Sequence, residues 1–239
     1  MSKQPSPFQI IIPIYEQVNL FDVTSACEMF YWMGQYWKER KVSINLVEAK
    51  ERVVKTHAGP RLTPDRSFAY YNGQPGGRPK RQAQLIWVPG AANETTQKMM
   101  GNADYINFLR EQATGAEYVT SVCEGAMLLA NAGLLDGYTA TTHWAMIPCL
   151  GTFKEVTVAP GYPRYWVDRN RVTGGGVSSG IDESLRLIQL IAGDDIAEQV
   201  QVVTQYFPEP PVQGTIPGAT CDIKIPPPPR AAVHKAKKG

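Results

Sequence analysis

Solid apolar runs alternate with stretches of helical spacing along this chain. Phe8-Gln9-Ile10-Ile11-Ile12-Pro13-Ile14 and Leu85-Ile86-Trp87-Val88 scarcely alternate apolar with polar, the pattern of strands buried on both faces. Pro89-Gly90 stops the second of these runs. Ser43-Ile44-Asn45-Leu46-Val47, within 42–49, reads as another strand, and 53–68 as short extended pieces broken by Gly59, Pro60 and Pro64. Ser25-Ala26-Cys27-Glu28 has the form of a capping box, which predicts a helix through Met29, Phe30 and Trp32 that ends near Gly34. Further helices are predicted over 103–112, after Gly125 as far as a Gly133 C-cap, over 179–192 and over 195–206. In 179–192, Ile181, Leu185, Ile188 and Ile191 keep helical spacing. Arg171-Val172-Thr173 is a short strand into Gly174-Gly175-Gly176. The stretch from Tyr70 to Gln84 is polar and rich in Gly and Pro and reads as a surface excursion.

Strands that alternate with helices and read as unbroken apolar runs imply a parallel sheet covered on both faces, an α/β fold. With no splitting linker and no internal repeat, the chain reads as a single domain over 1–239. Its core spans 8–211, and 212–239 is a Pro-rich, basic extension that packs loosely. Sites in such sheets form at the carboxyl ends of the strands. That edge collects the loop after Ile14, the turn Pro89-Gly90-Ala91, the junction at Cys123 and the loop containing His143.

Cys123 organises the chemistry. The β-rich run Tyr118-Val119-Thr120-Ser121-Val122 ends at Cys123, and a helix-forming run starts after Gly125. A cysteine at a strand-to-helix junction takes the position of a nucleophile elbow, where the helix N-terminus is expected to lower the thiol pKa. A small buried cysteine is the competing reading of the same pattern.

Bulk composition narrows the function. The 239 residues are 43% hydrophobic and 19% charged with a net charge of +2, which gives no push toward nucleic acid. The basic groups Arg78-Pro79-Lys80-Arg81 and Lys235-Ala236-Lys237-Lys238 read as solvated loop and terminus. No segment reaches the roughly 20 apolar residues of a membrane span, and the N-terminus lacks a secretory leader's apolar core. The four cysteines (Cys27, Cys123, Cys149, Cys221) show no metal spacing, which predicts a cytoplasmic protein with reduced thiols in which Cys27, Cys149 and Cys221 are inert. Three histidines make a His-rich metal site improbable, and neither a metal nor an organic cofactor is expected. Gly174-Gly175-Gly176 lacks the Lys-Ser/Thr of a phosphate loop.

Several motifs together resemble the ThiJ/PfpI superfamily, within the class I glutamine-amidotransferase-like fold. They are Val88-Pro89-Gly90, Thr120-Ser121-Val122-Cys123-Glu124-Gly125-Ala126, Ala132-Gly133-Leu134-Leu135-Asp136-Gly137, Ala140-Thr141-Thr142-His143-Trp144 and Thr173-Gly174-Gly175-Gly176-Val177-Ser178-Ser179-Gly180-Ile181-Asp182. Leu20-Phe21-Asp22-Val23-Thr24 resembles the isonitrile hydratase branch. The same block resembles N-terminal domains of AraC-type regulators, whose DNA-binding domain this chain is too short to hold. The resemblance implies a flavodoxin-like sandwich, a homodimer, Cys123 as nucleophile and Asp22 as the acid beside it. It also implies backbone N–H groups of Gly90 or Ala91 and of Glu124 as donors to a developing anion.

Glu124 departs from that pattern, since relatives carry threonine or histidine after the cysteine. It reads as a residue pointing to solvent in the first helical turn. His143 reads either as a base for Cys123 or as a structural histidine, and Asp182 as a cap or packing anchor. The resemblance implies hydration of a small-molecule isonitrile to an N-formamide: Cys123 attacks the isonitrile carbon, Asp22 donates the proton, and water cleaves the resulting thioimidate. Two alternatives are a glyoxalase or deglycase-like hydrolase on small carbonyls, and a redox- or ligand-sensing dimer.

Overall fold

The alternation of strand and helix written in the sequence closes around one central sheet in the computed structural model, which describes residues 6–73 and 80–230. The strands are β1 (Phe8–Pro13), β2 (Val42–Glu48), β3 (Val54–Lys55), β4 (Arg61–Leu62), β5 (Arg66–Ser67), β6 (Leu85–Val88), β7 (Tyr118–Ser121), β8 (Thr139–Ala140), β9 (Thr157–Val158), β10 (Tyr165–Asp168) and β11 (Arg171–Gly174). The helices are α1 (Leu20–Tyr36), α2 (Phe68–Asn72), α3 (Asn93–Met100), α4 (Ala103–Ala113), α5 (Gly125–Asn131), α6 (Ile147–Leu150), α7 (Ser179–Ala192) and α8 (Asp194–Val203).

Seven strands form the main sheet in the order β10-β11-β7-β6-β1-β2-β5, all parallel except β10, which runs antiparallel to β11. The inner strands β1 and β6 are the unbroken apolar runs of the sequence. Ile10, Ile11, Ile12 and all of Leu85–Val88 are wholly buried, because helices cover both faces. Helices α1, α7 and α8 pack on one another on one side, and α2 to α5 on the other. Trp87 anchors the first layer: its ring meets Phe30 of α1 edge-on at 5.8 Å, and its indole N–H donates to the Asp22 carbonyl at 2.8 Å.

The structure corrects several local expectations. Helix α1 begins at Leu20, so Ser25 lies inside it and is no cap. Nothing between Leu20 and Ser25 breaks a helix. The Ser25 hydroxyl is buried without a hydrogen-bond partner, packed toward Gly180 of α7. In α7 the inward line is Gly180, Glu183, Ser184, Leu187 and Ile188; of the expected stripe Ile188 is buried, while Ile181, Leu185 and Ile191 pack only partly buried against the core. Helix α3 and strands β8, β9 and β10 had no counterpart in the hydrophobic pattern. The stretch 70–84 is less of a surface excursion than expected: it opens in α2 with Tyr71 buried and closes on buried Ala83, while 74–79 lie outside the described residues.

Among the described residues the segment after α8, as far as Arg230, has neither helix nor strand, yet it is tied down. Cys149 of α6 and Cys221 form a disulfide, Ile223 and Ile225 pack against the core, and Arg110 of α4 donates to the Pro229 carbonyl at 2.7 Å. The expectation of inert, reduced thiols is therefore overturned for Cys149 and Cys221. Their separation of 72 residues carried no spacing signal. Among the described residues no helix is long and apolar enough to cross a membrane.

Candidate active site

Strand β7 delivers Cys123 to the carboxyl edge of the sheet in a left-handed backbone conformation, φ 53°. Such a conformation costs a non-glycine residue about 1–3 kcal/mol and persists only where its surroundings over-determine it. They do so here. The Val122 N–H donates to the Val88 carbonyl at 3.1 Å, the Cys123 N–H to the Gly175 carbonyl at 2.9 Å, and the Thr142 hydroxyl to the Cys123 carbonyl at 2.8 Å. Two glycines let the turn close. A Cβ on Gly125 would collide with the Val88 carbonyl, and one on Gly90 would lie 2.5–2.7 Å from Glu124 and Cys123 atoms.

Asp22 reaches the same point from the first turn of α1. The Cys123 thiol donates to its Oδ1 at 3.5 Å. Its Oδ2 accepts from the Gly90 N–H at 2.9 Å and from the Asn19 amide at 3.3 Å. Burial raises the Asp22 pKa from 3.8 to about 6, against the pull of those hydrogen bonds. Burial also pushes the Cys123 thiol far above the ordinary thiol range, and the carboxylates of Asp22 and Glu124 push the same way. The expected lowering by the helix N-terminus is thus overturned: desolvation and like charge outweigh one short helix. At rest the pair is a neutral thiol hydrogen-bonded to a carboxyl group.

Glu124 turns inward, contrary to expectation, and is only 8% exposed. Its Oε2 lies against Gly90 without a hydrogen-bond partner, and its Oε1 is 3.8 Å from His143 Nδ1. Burial pushes its pKa from 4.5 up to about 8, so at neutral pH it is largely protonated. His143 Nδ1 accepts from the Ala145 N–H at 3.3 Å, which leaves the ring neutral with its proton on Nε2, and burial lowers its pKa. His143 therefore meets Glu124 and not the thiol. Of the donors expected for a developing anion, the Gly90 N–H is already held by Asp22. Ala91 forms an antiparallel bridge with Val18 that is closed by the Asn19 N–H donating to the Gly90 carbonyl at 2.9 Å, a pattern that does not use the Ala91 N–H. The space beside the Glu124 N–H is filled by the glutamate's own carboxyl.

Two residues at the site carried no sequence signal. Tyr15 is buried, donates to the Pro89 carbonyl at 2.9 Å and feels the charges of Asp22, Glu124 and Cys123. Glu183 of α7 is wholly buried behind Gly174, with no hydrogen bond closed to either carboxyl oxygen and the Ser121 backbone N–H close by; burial raises its pKa well above normal. Asp182, by contrast, points outward to Arg164 at 2.6 Å and to the Tyr206 hydroxyl at 3.1 Å, a packing anchor as its position suggested. Among the described residues no group of three His, Cys, Asp or Glu side chains is gathered to hold a metal ion.

A cleft of about 440 Å³ opens beside the elbow. Its floor holds Thr142 and Gly175, the two residues hydrogen-bonded to the Cys123 backbone. The thiol itself is wholly buried. The arrangement can pass one proton between a thiol and a carboxyl group and form one bond from sulfur to a small electrophile.

Comparison with known proteins finds relatives in sequence and in fold. The chain is 40% identical over 154 residues to an isonitrile hydratase of Pseudomonas putida, covering 64% of this chain and 62% of that one. It is 33% identical over 105 residues to the HTH-type transcriptional regulator GbdR of Pseudomonas aeruginosa, but spans only 28% of that protein. A solved ThiJ/PfpI family protein from Pseudomonas syringae superposes with a TM-score of 0.74 at 29% identity, over 89% of this chain and 81% of that one. The DJ-1/PfpI family pattern matches residues 9–190, and the chain belongs to that family.

Proposed function

We propose that the protein is a cofactor-independent hydratase that converts an isonitrile to its N-formamide through Cys123 and Asp22. The observation that carries this reading is the buried thiol–carboxyl pair, Cys123 Sγ to Asp22 Oδ1 at 3.5 Å, in a chain 40% identical over 154 residues to an isonitrile hydratase. A linear, uncharged R–N≡C suits a site that has no room for a charged nucleophile at rest. The thiol proton passes through Asp22 to the isonitrile carbon while sulfur bonds to that carbon, giving the thioimidate R–N=CH–S–Cys123. Water then adds across C=N, its oxygen to carbon and its protons to nitrogen and Asp22. The C–S bond breaks, sulfur regains a proton, and R–NH–CHO leaves. Neither step needs a free thiolate, which the buried site disfavours. Because the thiol is buried and Glu124 turns inward beside it at Gly90, access to sulfur on this reading comes with a movement of the Glu124 side chain. A homodimer is part of the reading, with exposed Tyr31 of α1 and Val202 of α8 as apolar surface for a second copy. The Cys149–Cys221 disulfide suits an oxidising setting better than the reduced cytoplasm expected from the cysteine spacing.

The test is formamide production from phenyl isonitrile by the wild type, Cys123→Ala and Asp22→Asn. Loss of turnover in Cys123→Ala is expected, with a fall of about 10²–10⁴-fold in Asp22→Asn, the scale of a lost general acid–base. Full activity in Cys123→Ala ends the proposal. A wild type inert to isonitriles that makes lactate from methylglyoxal replaces it with carbonyl chemistry.

A further inference from the structure

The segment that follows α8 builds part of the cleft beside Cys123. Leaving α8, it places Ile216 in the lining of the cleft together with Phe21 of α1, Trp144, Tyr162 and Val177. Five residues later Cys221 is bonded to Cys149 of α6, the helix that directly follows the His143-Trp144 turn. The Pro229 carbonyl then meets Arg110 of α4. The strap thus contributes one lining residue to the cleft and is fastened further on, and the disulfide joins it to the helix that follows the cleft-lining His143-Trp144 turn.

The cleft's chemistry is legible. Its upper walls are aromatic and aliphatic side chains that are partly open to solvent, among them Phe21 (44% exposed), Tyr162 (50%) and Ile216 (45%). The charge on Arg164 is held by Asp182 at 2.6 Å and by the Ser178 hydroxyl at 3.3 Å. His143 is neutral. The volume lies at the small end of the about 300–1,000 Å³ usual for ligand pockets. Such a space takes an uncharged apolar group about the size of one ring.

We propose that this cleft holds the R group of the substrate, an uncharged apolar group of ring size, and that Ile216, held by the Cys149–Cys221 bond, is its specificity-determining wall. The substrate half of this inference rests on the hydratase reading above; the wall does not. Reducing the disulfide frees the strap between α8 and Arg110, so the wall recedes while Cys123 and Asp22, hydrogen-bonded to each other and to Gly90, Asn19, Trp87, Gly175 and Thr142, stay in place.

The experiment compares methyl, phenyl and 2-naphthyl isonitriles on the wild type, Ile216→Ala, Ile216→Trp and Cys221→Ser, with and without dithiothreitol. Ile216→Ala is expected to raise KM for phenyl isonitrile about tenfold, the scale of one lost apolar contact in a pocket, with kcat within about twofold and the methyl compound unaffected. Ile216→Trp is expected to reject the naphthyl compound and keep the methyl one. Cys221→Ser, and wild type in dithiothreitol, are expected to reproduce the Ile216→Ala profile. Equal KM values across the series in all four proteins overturn the proposal. Calorimetric binding of N-phenylformamide to the same proteins separates the two readings. If no isonitrile turns over, yet the formamide binds and Ile216→Ala weakens it about tenfold, the hydratase reading falls and the wall stands. If the formamide does not bind, or binds all four proteins alike, the wall falls.

Discussion

The two sides of Cys123 are built differently. On the Asp22 side both carboxyl oxygens have partners: Oδ1 takes the thiol, and Oδ2 takes the Gly90 N–H and the Asn19 amide. The backbone there is fixed by hydrogen bonds to Val88, Gly175 and Thr142. On the Glu124 side, Oε2 has no partner, Oε1 stands 3.8 Å from an imidazole nitrogen that is already accepting a hydrogen bond, and an open cleft lies beyond. The thiol–carboxyl pair is thus set rigidly into the sheet edge. Beside it stands a carboxyl group with one oxygen unpartnered and the other 3.8 Å from an imidazole nitrogen. On the proposed reading Cys123 and Asp22 are a fixed pair and Glu124 a movable plug beside it, which keeps the thiol neutral and dry until a substrate displaces the plug.

The largest expected effect comes from breaking the rigid side. Gly125→Ala drives a methyl group into the Val88 carbonyl, a backbone atom that cannot retreat without pulling β6 from β7. A loss of at least about 3 kcal/mol is expected, at the upper end for overpacked sites. Urea unfolding followed by circular dichroism measures it. A variant as stable as wild type would show that the elbow is not clamped against β6.

The plug side responds to pH. Glu124 has a folded pKa of about 8 against 4.5 for the free group, and Asp22 about 6 against 3.8. Both are raised, so between those values the unfolded chain holds fewer protons than the folded one, and stability falls as pH rises. For Glu124 the loss runs from about pH 4.5 to about pH 8, by up to about 1.4 kcal/mol per pH unit, and is absent below that window. Tyr15, Cys123, Asp22 and His143 face the same space; the lowered pKa of His143 acts in the opposite sense, but only below its free value of 6.5, so the fall above that value is left to Glu124. Glu124→Gln is expected to flatten the profile above pH 6, where Asp22 has already titrated. The same variant, freed of its charge, opens the plug no more readily than wild type at pH 6. Glu124→Ala removes the plug and is expected to speed alkylation of Cys123 by iodoacetamide about tenfold, read by mass spectrometry of the Cys123 peptide. Unchanged labelling would mean that Glu124 does not bar the way.

The same contrast decides what was legible in the sequence. The rigid side was legible because strand, elbow and glycine turn are written in local pattern: Leu85–Val88 as an unbroken apolar run, Cys123 at a change of period, Gly125 where a helix opens. Asp22 came from family resemblance, since a single acid inside Leu20-Phe21-Asp22-Val23 has no periodic signal. The plug side was not legible. The inward turn of Glu124 follows from a tertiary space beside Gly90 that no pattern encodes. Ser25 imitated a cap because Ser-x-x-Glu occurs inside helices as well as at their starts. Polar Glu183 and Ser184 took inward positions in α7 that periodicity assigned to Ile181 and Leu185. The Cys149–Cys221 bond joins segments brought together only by the whole fold.

The smallest expected effect probes the outer rim of the cleft. Arg164 reaches Asp182 with both Nε and Nη2 at 2.6 Å, but half of its side chain is in water, where such a pair contributes less than about 1 kcal/mol. Asp182→Asn is therefore expected to lower the melting temperature by no more than about 2–4 °C, the shift that about 1 kcal/mol produces in a chain of this size. Its effect on catalysis has a different cause. With Asp182 neutral, the Arg164 guanidinium loses its counter-charge and turns into a cleft that otherwise suits an uncharged group. KM for phenyl isonitrile is expected to rise two- to threefold at low salt and to recover at high salt, because a solvent-exposed charge is screened over about 10 Å at 0.1 M. A salt-independent loss would point instead to movement of the Pro163–Arg164 wall itself, placing that wall among the rigid parts of the site with Cys123 and Asp22.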